Sequence, residues 1–228
     1  MSIGVDAAKS LGDARFNVVI GGEAGDALTT GGSNVVMGHG ALSSEDGHGK
    51  NTALGSFALQ DLNAGADAEN VAVGYVAMAE ATTGQFNTAV GSRAMQTGIT
   101  TGNYNIAIGM HALGSEDAHG TNIAIGLSAL KLQNAGADAY NVAIGQDAGT
   151  AISTGIRNVI VGGLAGDALT TGIENVAIGY EALSTEDGHG RNVAIGQQAL
   201  YAQNAGVDAY NIAIGYQTGN KGKVYIYM

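Results

Sequence analysis

The chain has 228 residues, including 38 Gly and no Pro, Cys or Trp, so no disulfide framework and no thiolate metal site exist. Twenty Asp plus Glu against nine Lys plus Arg give a formal net charge of −11, a surface that repels phosphate and anionic lipid. No apolar run approaches the length of a membrane span, so neither a nucleic-acid partner nor membrane insertion is expected.

The chain opens with Met1-Ser2-Ile3-Gly4, which lacks the basic and apolar regions of a secretory signal. Ile3, Gly4 and Ala7 stand 17 residues before Ile20, Gly21 and Ala24, so residues 1–16 read as a turn lacking only its first residue. A pentapeptide then begins at Asn17: Asn, a β-branched residue, a small or apolar residue, an aliphatic residue, Gly. It returns at Asn34, Asn51, Asn70, Asn87, Asn105, Asn122, Asn141, Asn158, Asn175, Asn192 and Asn211, at steps of 17 to 19 residues. A short period over the whole chain makes each repeat one solenoid turn. The expectation is an all-β parallel β-solenoid of about 13 turns, one domain over residues 1–220 and a rod about 60 Å long at about 4.8 Å per turn.

A longer period is nested in this one. Asn63-Ala64-Gly65-Ala66-Asp67-Ala68 recurs as Asn134–Ala139 and, with Val207 for Ala66, as Asn204–Ala209. Ser44-Glu45-Asp46-Gly47-His48-Gly49 recurs as Ser115–Gly120 and Thr185–Gly190. The duplicated unit is therefore four turns, present three times. The last turn departs from the pattern at Lys221-Gly222-Lys223-Val224-Tyr225-Ile226-Tyr227-Met228, whose alternation predicts a strand over 221–228. Terminal repeats must cap the stack, so this tail is read as a cap or a docking strand.

Within the pentapeptide, counting Asn as position one, positions two and four share one face of a strand and position three takes the other. Position three is Ala except at Val19, Val36 and Ile160. The expectation is that the Val/Ile face stacks as the core and that the flat Ala face meets neighbouring chains, at Ala72, Ala107, Ala124, Ala143, Ala177, Ala194 and Ala213. Each turn buries few apolar side chains for 17 residues ordered, and the usual remedy for so thin a core is oligomerisation. Three chains around one axis would bury the small faces. The Asn has two readings, a ladder bonding turn to turn or a left-handed corner. The invariant Gly is expected to supply positive φ.

The pattern Asn-Val-Ala-Ile-Gly-x-x-Ala, as in Asn175–Ala182 and Asn192–Ala199, resembles the head repeat of trimeric autotransporter adhesins, also found in bacteriophage fibre and spike proteins. The resemblance covers nearly the whole chain. It implies a left-handed parallel β-roll, intertwined or side by side in a homotrimer, and brings no catalytic residues. These turns are expected to be longer than typical adhesin turns, with longer outer loops, and the 228 residues contain no pattern of a coiled-coil stalk or membrane anchor. The expected function is a structural or adhesive fibre, spike or surface-projecting virion protein, acting in attachment or as a rigid spacer at a virion surface or tail. A bacterial adhesin head at the cell surface and a glycan-cleaving tailspike fragment are the alternatives. Expected partners are other copies of the chain, other virion proteins through Lys221–Met228, and a cell-surface glycan or protein receptor.

The sequence offers one repeated constellation for a site: Glu45, Asp46 and His48; Glu116, Asp117 and His119; Glu186, Asp187 and His189. Carboxylates beside a histidine suit a divalent ion or acid–base work. The same residues are also good turn chemistry, which is the stronger reading, and Ala118 in place of Gly47 relaxes any strict geometry. No enzyme activity, cofactor or bound metal is expected. His39 and His111 lack carboxylates at fixed spacing and are read as surface or interface residues. Thr29-Thr30, Thr82-Thr83, Thr100-Thr101 and Thr170-Thr171 recur too irregularly for a flat ice-binding array and are read as turn residues.

Overall fold

The computed structural model describes residues 1–97, 101–115, 119–204, 208 and 210–220. Glu116, Asp117 and the 221–228 tail lie outside them. The fold is an all-β parallel β-solenoid, with no helix among the described residues. The chain divides into two compact units, Met1–His119 and Gly120–Met228. The first carries β1 (Ser2–Ile3), β2 (Val18–Ile20), β3 (Val35–Met37), β4 (Thr52–Leu54), β5 (Val71–Val73), β6 (Thr88–Val90) and β7 (Ile106–Ile108). The second carries β8 (Ile123–Ile125), β9 (Val142–Ile144), β10 (Val159–Val161), β11 (Val176–Ile178), β12 (Val193–Ile195) and β13 (Ile212–Ile214). Within each unit every strand pairs in parallel with the next in sequence, and equivalent residues face each other: Val159, Ile160 and Val161 stand opposite Val176, Ala177 and Ile178.

Backbone bonds climb from turn to turn. Val35 N donates to Asn51 O at 2.9 Å, and Gly38 N donates to Ile20 O at 2.8 Å. The Asn column is a ladder, but one of side chain to backbone. Asn158 Oδ1 accepts from Asn175 N at 2.9 Å, while its Nδ2 donates to Gly172 O at 2.9 Å. The same Oδ1-to-next-Asn bond runs from Asn17 to Asn105 and from Asn122 to Asn211. Each amide thus holds two turns together, with the Asn side chains from 34 to 192 buried.

The expected assignment of the two faces is reversed. Ala72, Ala107, Ala124, Ala143, Ala177, Ala194 and Ala213 are wholly buried inside their own chain. The Val and Ile residues on either side of them point outward, with Ile178 36% and Val159 37% exposed. The reason is width. The interior between a strand and the far side of its turn must already hold the Asn amide, the position-eight Ala and the large residue at position nine, such as Leu42, Leu183 or Leu200, all buried. In most turns a small residue stands opposite. At two of the three turns with a large position three the far side shrinks, Ile160 being matched by Gly166 and Val19 by Gly25, whereas Val36 is buried together with Leu42. A Cβ added at Gly166 would meet Leu169 Cδ1 at 2.9 Å and Ile160 Cδ1 at 3.1 Å.

Each turn closes through left-handed corners. In one turn these are Glu174, Glu181 and Leu183, at φ of 57°, 55° and 54°. Most such corners carry ordinary residues, although L side chains disfavour that conformation. The position-five Gly does something else. Gly21 sits at φ 139°, and a Cβ there would stand 2.5 Å from Gly38 O of the next turn. Glycine is required here by conformation and by the closeness of the next backbone.

Candidate functional site

Two surfaces differ from plain repeat structure. One is the Glu-Asp-x-His loop with the long loop of the following turn. The other is the outward strip of the sheet.

Glu45 and Glu186 occupy position twelve of their turns. Other turns place Leu28, Leu62, Ile152, Leu169 and Gln133 there, all wholly buried. Both carboxylates are also wholly buried. Burying a charge requires partners. Glu45 Oε1 accepts from His48 N at 2.9 Å, and its Oε2 accepts from Ala64 N at 3.2 Å. Glu186 Oε1 accepts from His189 N at 3.2 Å and lies 3.1 Å from His189 Nδ1. These carboxylates therefore brace the turn. In the first copy His48 Nδ1 stands 3.6 Å from Glu45 Oε1, too far for a hydrogen bond, and is buried without a partner. His119 Nδ1 is likewise buried and unpartnered. Asp46 and Asp187 are exposed. Their backbone carbonyls hold the preceding turn: Asp46 O accepts from Thr29 N at 2.7 Å and from Thr29 Oγ1 at 2.9 Å. Thr30, Thr170 and Thr171 spend their hydroxyls in the same way, on Gly47, Asp187 and Gly188 carbonyls. Those side chains serve the turn, as the sequence indicated.

The shared long loop supplies a residue that motif reading passed over. Asp67, Asp138 and Asp208 each accept the backbone N–H of the glycine after the histidine, at 3.0, 3.1 and 2.9 Å to Gly49, Gly120 and Gly190. The signal was available in the recurrence of Asp in all three long loops. Asp67 also pairs with Lys50 Nζ at 3.0 Å, and Lys50 reaches Glu69 at 3.2 Å. The Lys50 hydrogen bond, then the Gly49 N–H, hold the Asp67 carboxyl below its usual range. In the last copy Arg191 pairs with Asp208 and with Glu174 at 3.1 Å, and lies over the Tyr210 ring at 5.5 Å. The two loops are thus locked together at least twice.

The outward strip consists of the position-two and position-four residues, among them Val35, Met37, Ile106, Ile108, Ile144 and Ile212, all exposed. Tyr75, Met110, Tyr180 and Tyr216, which follow the invariant Gly, are exposed beside it. Phe86 and Tyr104, at the corner before Asn, stack at 5.2 Å with planes 5° apart. His39 is exposed and packs near the Phe57 ring at 5.2 Å, a surface position like the one expected. One acidic group stands out on the opposite side of the turn. Asp167 has a buried Oδ1 with no partner, and burial, reinforced by Glu181 and Asp147, pushes its carboxyl above the usual range.

No family model, curated protein or solved structure matches the chain.

Proposed function

We propose that this protein is a structural and adhesive segment of a trimeric fibre, spike or surface-projecting virion protein, acting in attachment or as a rigid spacer. The observation that carries this reading is the outward apolar strip. A sheet that turns Val, Ile and Met outward in turn after turn, while its own core takes Ala, is built to be covered. The number three comes from the resemblance to adhesin-head and phage-fibre repeats. Every turn invests its polar groups in holding the next turn, through the Asn ladder and the Thr and Asp bonds to carbonyls and amides. That economy suits a load-bearing scaffold. Receptor contact falls to the exposed loops, which repeat every four turns.

The test is light scattering on the whole chain. A mass of three times 22.7 kDa is expected, and it should fall to 22.7 kDa when Val159 and Ile178 are both changed to Asp, with the circular dichroism of the fold retained. An unmodified chain that runs as a monomer would overturn the reading. Genes for capsid and tail proteins beside its own would favour the virion over a bacterial surface; secretion genes would reverse that choice.

A further inference from the structure

We infer that two Glu-Asp-x-His loops, Glu45, Asp46 and His48 and Glu186, Asp187 and His189, are divalent transition-metal sites, independent of how chains assemble. Three observations converge. First, Glu45 and Glu186 place a wholly buried carboxylate in a column held elsewhere by neutral residues, Leu28, Leu62, Ile152, Leu169 and the buried Gln133. A turn brace alone does not require that charge, since neutral residues, aliphatic or Gln, close other turns at the same position. Second, one ligand atom from each of Glu45, Asp46 and His48 lies within 4.8 Å of the others, and Glu186, Asp187 and His189 repeat the arrangement. Third, His48 Nδ1 is a buried nitrogen with no hydrogen-bond partner, while its counterpart His189 Nδ1 is already aimed at Glu186 Oε1 at 3.1 Å. A buried polar atom without a partner is uncommon and calls for an explanation. A cation beside Glu45 would give His48 Nδ1 its missing partner and neutralise the buried carboxylate.

The donor set determines the class of ion. One imidazole nitrogen with two carboxylate oxygens suits Zn²⁺, Co²⁺, Ni²⁺ or Cu²⁺ better than Ca²⁺ or Mg²⁺, which prefer all-oxygen shells. Glu45 keeps lone pairs for a metal while its oxygens accept the His48 and Ala64 amides, since each carboxylate oxygen accepts more than one bond. Those amides then orient the ligand, as the outer shell of a metal site does. Asp46 and Asp187 approach from the solvent side, which leaves open positions for water. The bound ion would tie the ring after position twelve to the turn core without altering the Asn ladder.

Titration of the whole chain with Co²⁺ and Zn²⁺ tests the site, read by calorimetric stoichiometry and by Co²⁺ ligand-field absorption. At least two ions per chain are expected. His48→Gln with His189→Gln should remove two. Asp46→Asn with Asp187→Asn should weaken the same two by at least about tenfold, the scale on which even outer-shell partners act. Both pairs leave the Glu45 and Glu186 braces in place, and circular dichroism checks that the fold persists. Absence of Co²⁺ absorption at millimolar ion, or a stoichiometry unchanged by both variant pairs, would overturn the inference.

Discussion

Asn158→Ala isolates the ladder that joins one turn to the next. The wild-type side chain is wholly buried, accepts from Asn175 N at 2.9 Å and donates to Gly172 O at 2.9 Å and to Asn141 Oδ1 at 3.2 Å. Alanine leaves the Asn175 N–H and the Gly172 carbonyl without those partners in a space closed to solvent. Each orphaned buried group costs about 1–3 kcal/mol, so the expected loss is about 2–6 kcal/mol. Asn158→Asp retains the acceptor for Asn175 but turns an oxygen toward the Gly172 and Asn141 oxygens, and should cost more. Two measurements apply. Urea unfolding followed by circular dichroism gives the global loss. Native-state hydrogen exchange reports the Asn175 amide, whose protection should fall most, because repeat proteins open locally between neighbouring units. A loss below about 1 kcal/mol with Asn175 protection unchanged would refute the claim that the side-chain ladder, rather than the strands alone, holds the stack.

Two further outcomes follow from packing and burial. Ala177→Ile should cost about 1–3 kcal/mol by overpacking against Leu183, and adding Leu183→Gly should recover part of it, because the neighbouring turn already pairs Ile160 with Gly166 and Leu183 sits at φ 54°, where Gly is at ease. Thermal unfolding of the four chains checks this; purely additive losses would show that positions three and nine do not share one space. Asp167→Asn should raise the melting temperature at neutral pH, since the buried carboxyl has a raised pKa and an oxygen without a partner. A raised carboxyl favours folding below the usual carboxylate range, and that contribution is lost as pH rises through the raised value. The advantage of Asn should therefore shrink on acidification, and an equal advantage at every pH would refute the burial argument.

The sequence alone determined the class of fold, because a 17-residue period with a Gly closing every pentapeptide leaves a solenoid as the one arrangement in which each turn repeats its neighbour's contacts. It also determined that Asn17 and its repeats were structural, and it pointed to the turn roles that Thr29, Thr30, Thr170 and Thr171 take. It left undecided whether Asn was a ladder or a corner, and the answer depended on which backbone group stood opposite: Asn175 N lies 17 residues away in sequence but 2.9 Å away in space. The choice of core face also lay beyond it. Alternation says that Val176 and Ile178 oppose Ala177, and hydrophobicity argues for burying the larger pair. Tertiary structure puts Ala177 inside with Leu183 and the Asn175 amide, and the larger residues outside. The buried state of Glu45 and Glu186 has the same origin. A Ser-Glu-Asp-Gly stretch looks like a solvated loop by composition, and tertiary structure placed its Glu in the column that Leu28 and Leu62 share.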